Sequence, residues 1–114
     1  MHKQGDIALI PVPFTDLSSQ KRRPVIVISS DRYNQQSSDM VVVAMTSQPL
    51  RTDFGFTLTN ENLVDGVLNR PGQVRVDKIY TLSQANVVKT FGRVNAEVIQ
   101  HIRALIQELT RPSS

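Results

Sequence analysis

The run Pro24-Val25-Ile26-Val27-Ile28-Ser29, entered through Arg23, constrains this chain more than any other feature. Its four central residues are apolar and all four are β-branched, so it reads as a strand buried inside a sheet. Pro24 fixes its own φ and biases Arg23 toward an extended backbone. The guanidinium is therefore expected where a polar loop, residues 14–23, becomes rigid sheet. A guanidinium held there is preorganised to grip a phosphate with paired donors.

Other elements fall into place around that strand. Asp6 to Val12 reads as a first strand, with Pro11 and Pro13 pointing to an edge or a strand end. Ser30 to Asn34 fits a single helical turn, and Met40-Val41-Val42-Val43-Ala44-Met45 a third strand ending at Thr46-Ser47. Shorter strands are expected over 54–58 and 66–68, around an Asn60-Glu61-Asn62 turn, with Gln73–Val76 and Lys89–Arg93 completing the sheet. From Asn95 onward the period changes. Val98, Ile102, Leu105, Ile106 and Leu109 recur at helical spacing, with Asn95 as N-cap and Arg111-Pro112 at the exit. The pattern gives a small, mostly antiparallel barrel or curled sheet closed by a C-terminal helix, with one domain over residues 1–114.

Composition narrows the chemistry. There is no cysteine, so neither a disulfide framework nor a thiolate nucleophile is available. No apolar run approaches a membrane span and the start lacks a secretory core, which gives a cytoplasmic reading without membrane contact. The two histidines, His2 and His101, lie near a terminus and in the helix, a poor basis for paired-histidine catalysis. Carboxylates are scattered without ligand spacing, so no metal site and no cofactor is expected. A net charge of +3 permits a polyanionic partner. Lys21-Arg22-Arg23 is the one run of three cations, and Arg70, Arg75 and Lys78 form a second cluster.

Four segments, taken in order, resemble the MazF/PemK family of toxin endoribonucleases. They are Gly5-Asp6-Ile7, Pro13-Phe14-Thr15-Asp16-Leu17, Lys21 through Ser29, and Ala44-Met45-Thr46-Ser47. Gly66-Val67-Leu68, Gln73-Val74-Arg75 and the terminal helix look like the family's second half. The resemblance implies an SH3-like (CcdB/PemK-type) small barrel of antiparallel strands plus a C-terminal helix. It also implies a homodimer that cuts single-stranded RNA without a metal and is silenced by a cognate antitoxin. The family's key arginine matches Arg23 and its key threonine Thr46.

Metal-free cleavage of this kind uses the neighbouring 2′-hydroxyl as nucleophile and leaves a 2′,3′-cyclic phosphate and a 5′-hydroxyl. It needs a proton acceptor, positive charge on the transition state and a donor for the leaving oxygen. Arg23 suits the charge, and the Thr46 hydroxyl a phosphate oxygen or the 2′-hydroxyl. Ser18, Ser19, Lys21, Arg22 and Ser47 are candidate RNA contacts; Gln73 and Arg75 are candidates for lining the groove. Phe14 and Tyr33 are the aromatics available for stacking in and near the loop. Several members carry a glutamate five residues before the arginine. Here that position is Ser18, and Asp16 is the nearest loop carboxylate, better suited to capping its own turn. The proton acceptor is thus unassigned.

Two other readings fit the same architecture. One is a gyrase-inhibiting toxin of the same fold, although the tail from Leu109 to Ser114 lacks the aromatic that lineage uses. The other is a non-catalytic SH3-like nucleic-acid-binding regulator.

Overall fold

The computed structural model describes residues 1–13, 20–49 and 52–113. Its strands are β1 (Asp6–Pro13), β2 (Gln20–Val27), β3 (Asp39–Thr46), β4 (Gly55–Leu58), β5 (Leu63–Gly66), β6 (Gly72–Ser83) and β7 (Lys89–Val94). Two helices join them, α1 (Asp31–Gln36) and α2 (Ala96–Leu109). The strands form a seven-stranded sheet in the order β4-β6-β3-β2-β1-β7-β5, antiparallel at every pairing.

This sheet has to curl. Its two outermost strands, β4 and β5, are joined by residues 59–62 alone. Five Cα steps reach at most about 19 Å, whereas the ends of a flat seven-stranded sheet lie about 29 Å apart. The packing agrees: Leu58 and Phe56 from one end and Leu63 from the other share a core with Val98, Ile99 and Ile102 of α2. The opposite face carries a second core, built from Ala8, Ile10, Val12, Val25, Val27, Met40 and Val42. The alternation of β1 between Ile7 on one face and Ala8, Ile10 and Val12 on the other follows from the period-2 pleat. No helix among the described residues is long and apolar enough to cross a membrane.

The expected barrel with a C-terminal helix is the fold observed. Asn95 caps α2 by accepting from the Val98 amide at 3.0 Å. Ile99 joins the buried stripe, while Leu109, at the helix end, is exposed.

Several element readings need correction. β1 is not an edge: it lies between β2 and β7. Its pairing with β7 stops at Leu9, so Pro11 and Pro13 fall in the half hydrogen-bonded on one side only. The loop read as 14–23 is shorter, because β2 starts at Gln20 and pairs Lys21, Arg22 and Arg23 with Val12, Pro11 and Ile10. Ladder pairing outweighs their polarity. The strand placed at 66–68 runs from Leu63 to Gly66 instead. The strand placed at Gln73–Val76 extends to Ser83, across a register shift that hides its continuity.

Candidate active site

Arg23 is the fourth residue of β2 and does not stand at a loop junction. The β2–β3 ladder runs Val27↔Val42, Ile26↔Val43, Val25↔Ala44 and then ends. The next residue, Pro24, has no N–H with which to extend it. Counted on in the same register, Arg23 stands opposite Thr46, both just beyond the last rung. The strands remain neighbours there without a ladder between them.

That gap opens into a cavity of about 630 Å³. Arg22, Arg23 and Pro24 of β2 line one side, with Met45, Thr46 and Ser47 at the end of β3. Leu9 and Phe91 contribute apolar surface, and residues 67–72 form a further wall. Among the described residues four cations line the cavity: Arg22, Arg23, Arg70 and Lys89. No carboxylate or imidazole is among the described residues that do so. Such a lining suits an anion, and it leaves the proton acceptor of the expected chemistry without a described candidate.

Local geometry fixes parts of this cavity. The Thr46 Oγ1 accepts from the Gln48 amide at 3.1 Å, so its own O–H stays available to donate. The wall at 67–72 is braced by Asn60, whose Nδ2 donates to the Leu68 carbonyl (3.3 Å) while its Oδ1 accepts from the Leu68 amide (2.7 Å). At the end of that wall, a Cβ on Gly72 would press on Cε of Met45. Glycine there lets the wall approach the β3 terminus.

The structure gathers some of the predicted residues and leaves others apart. Arg23, Thr46, Arg22 and Ser47 line the one cavity. Lys21 is exposed on β2 and does not line it. Gln73 pairs with Thr46 in the β3–β6 ladder, but its Oε1 accepts from the Thr57 hydroxyl at 2.9 Å and it stands outside the cavity lining. Arg75 lies two rungs away, opposite Ala44, in a two-pronged ion pair with Asp77. That pair raises the Arg75 pKa and lowers that of Asp77, chiefly through their mutual hydrogen bonds. Ser18, Ser19, Asp16 and Phe14 lie outside the described residues.

Both histidines are engaged elsewhere. His2 meets Gln84, and the His101 ring stacks on Phe56 at 4.2 Å. Tyr33 is exposed on α1, away from the cavity lining. Among the described residues no group of three or more His, Asp or Glu side chains could hold a metal ion. Sequence reasoning missed Asn69, Lys89 and Phe91 as lining residues and saw Arg70 only as a charge. Nothing local marks them. They reach the cavity because the curled sheet brings β7 and the β5–β6 connection beside β2 and β3.

Residues 3–110 match the family described as PemK-like, MazF-like toxin of type II toxin-antitoxin system. The fold is similar to that of a MazE–MazF structure (Form III) from Deinococcus radiodurans, with 20% identity, 98% of each chain covered and a TM-score of 0.77. It is also similar to the Mycobacterium tuberculosis toxin MazF-mt6, with 17% identity over 96% of this chain and 99% of the other, at a TM-score of 0.74. A mycobacterial endoribonuclease in complex with its cognate antitoxin aligns over 100% of both chains, with 17% identity and a TM-score of 0.73. No curated protein matches the chain.

Proposed function

The chain belongs to the PemK-like, MazF-like toxins of type II toxin-antitoxin systems, and from that premise we propose that it is a sequence-selective, metal-independent endoribonuclease. Its substrate is single-stranded RNA, and its products are a 2′,3′-cyclic phosphate and a 5′-hydroxyl. The observation that carries this reading is that Arg23 and Thr46, opposite one another in the continued β2–β3 register, line a cavity with four cations among its described lining residues. The similar mycobacterial structure, an endoribonuclease held by its antitoxin, supports the same activity and the same kind of partner.

In the proposed reaction the 2′-oxygen attacks phosphorus and the P–O5′ bond breaks. The 2′-proton passes to an acceptor, and the departing 5′-oxygen takes up a proton. Arg23 stabilises the charge that builds on the phosphoryl oxygens, a task for which its fork and permanent charge fit it. Its role is electrostatic, and the proton passes to another group. Thr46 donates its free O–H to a non-bridging oxygen. Arg22 and Ser47 hold the flanking backbone. The protein acts in the cytoplasm as a homodimer, and its cognate antitoxin blocks the cavity.

Purified protein incubated with a long transcript in EDTA tests the reading. Cleavage should persist under chelation and leave cyclic phosphate ends, and Arg23→Ala and Thr46→Ala should abolish it while keeping the wild-type circular dichroism spectrum. Intact RNA at high protein excess, or cleavage lost on chelation, would overturn it.

A further inference from the structure

Arg70 and Lys89 are the two cavity cations that the reaction just described does not use. Lys89 pairs with Leu9, and Leu9 in turn pairs with Pro24, so the three lie on one row across β7, β1 and β2. Paired residues share a face of the sheet, and all three line the cavity. Two strand spacings, about 10 Å, therefore separate Lys89 from the backbone beside Arg23. An extended single-stranded backbone crosses such a span within a couple of nucleotides.

Arg70 stands on the wall that the Asn60 amide braces at Leu68. Leu9, on the row between Lys89 and Pro24, and Phe91, two residues along β7 from Lys89, add apolar surface to the lining. The contrast with other arginines is informative. Arg75, Arg93 and Arg111 close ion pairs with Asp77, Asp6 and Glu108. Among the described residues Arg70 and Lys89 make no such pair and no side-chain hydrogen bond. Both line a cavity that has no carboxylate among its described lining residues. An apolar strip flanked by two groups of cations is complementary to a nucleotide with a phosphate on either side.

We propose that Arg70 and Lys89 form a second phosphate subsite, which holds the RNA backbone beyond the scissile phosphate while the nucleoside between the two phosphates rests on Leu9 and Phe91. The subsite deepens the endoribonuclease reading and rests on its substrate class. It makes Arg70 and Lys89 binding residues, distinct in role from Arg23.

Binding of a randomised pool of non-cleavable 2′-O-methyl oligoribonucleotides, followed by fluorescence anisotropy across a range of KCl concentrations, tests it without requiring catalysis. Each single-strand phosphate contact contributes about 0.7 to the slope of log K against log salt. Arg70→Ala and Lys89→Ala should each make that slope shallower by about 0.7 and weaken binding several-fold at low salt. Arg103→Ala, on the exposed side of α2 and remote from the cavity lining, should leave the slope unchanged. Unchanged slopes for both cavity variants overturn the subsite, and so does an equal loss in all three. A wild-type protein that cleaves no RNA yet shows this pattern removes the enzymatic reading and keeps the subsite. Failure of the wild type to bind the pool removes both.

Discussion

Arg75 and Asp77 close a two-pronged ion pair (2.9 and 2.8 Å) at the point where β6 slips its register against β3. Val43 pairs with Ile79 and its neighbour Ala44 with Arg75, so residues 76–78 are extra on the β6 side. The pair spans that irregularity and neutralises a cation two rungs from Thr46. Its hydrogen bonds hold the Asp77 carboxyl below its ordinary value. A carboxyl depressed in the folded state contributes stability above its unfolded pKa, and that contribution fades as pH falls through the folded value. Asp77→Asn should therefore lower the unfolding midpoint at neutral pH, by an amount matching at most about 1 kcal/mol for a partly exposed pair. The variant and wild type should converge only as pH falls below the ordinary aspartate value of about 3.9, because the folded-state value lies lower still. Thermal melts from pH 2 to 8 check this, and a difference that persists into acid would assign the effect to packing instead.

Arg23→Lys separates charge from geometry. Lysine keeps the positive charge but loses the planar pair of donors. If the fork grips the transition state, cleavage should fall on the order of 100-fold, with RNA affinity changed far less. Steady-state kinetics on a single cleavable oligonucleotide give both numbers. An activity near wild type would show that charge alone suffices at this position.

How much of this was legible beforehand divides along local and non-local lines. The strands around Val25–Val27 and Met40–Met45 were readable because their apolar runs carry β-branched residues wherever they end up. The capping of α2 by Asn95 is equally local. β6 was read short because Asp77 and Lys78 interrupt the alternation where the strand bulges, and no rule of period 2 survives a bulge. The central place of β1 was hidden by two prolines that the sheet tolerates where β7 has already ended. Arg23 and Thr46 came from ordered motifs in the sequence, and the β2–β3 register, counted two residues past its last rung, sets them opposite one another. Arg70, Lys89 and Phe91 could not be found in this way. Their meeting depends on the curl forced by the short β4–β5 connection, which no local pattern encodes.

Gly66 carries a backbone demand that only glycine meets without strain. Its φ is +82°, and a Cβ there would strike the carbonyl group of Phe91 on the paired strand β7. The cost of left-handed backbone adds to that clash, so Gly66→Ala should destabilise the fold by on the order of 2–3 kcal/mol. Because β5 leads directly into the cavity wall at 67–72, RNA affinity should fall as well. Urea unfolding measures the first effect, and an unchanged midpoint would contradict the strand pairing described.

Gln84 ties the N-terminus to the helical side of the sheet. Its Nε2 lies 2.9–3.0 Å from the carbonyls of Asn34, Ser37 and Asp39, and its Oε1 accepts from the His2 amide at 3.0 Å. Asn34, fully buried, extends the network by donating to the carbonyls of His2 and Ser29. Gln84→Ala strips these partners together and should cost about 2 kcal/mol, lowering Tm by roughly 5–10 °C for a domain of this size. Calorimetry checks the shift. The cavity lies elsewhere on the sheet, so cleavage below the new Tm should persist.

Asn60 offers the sharpest distinction between holding a charge and placing it. Its amide grips both backbone groups of Leu68, two residues before Arg70, and Asn60 itself carries no charge to give RNA. Asn60→Ala removes both bonds and should cost about 1 kcal/mol in stability. The Leu68 amide, freed from its 2.7 Å acceptor, should exchange with solvent faster. Binding of the non-cleavable RNA pool should weaken several-fold while the salt slope keeps its wild-type value, since every cation remains and only its placement is lost. Asn60→Asp retains the acceptor for the Leu68 amide and should restore its slow exchange, although its added negative charge beside the wall would itself oppose RNA. A shallower slope in Asn60→Ala would mean that the wall had moved far enough to withdraw Arg70 altogether, making the brace a condition of the contact rather than a refinement of it.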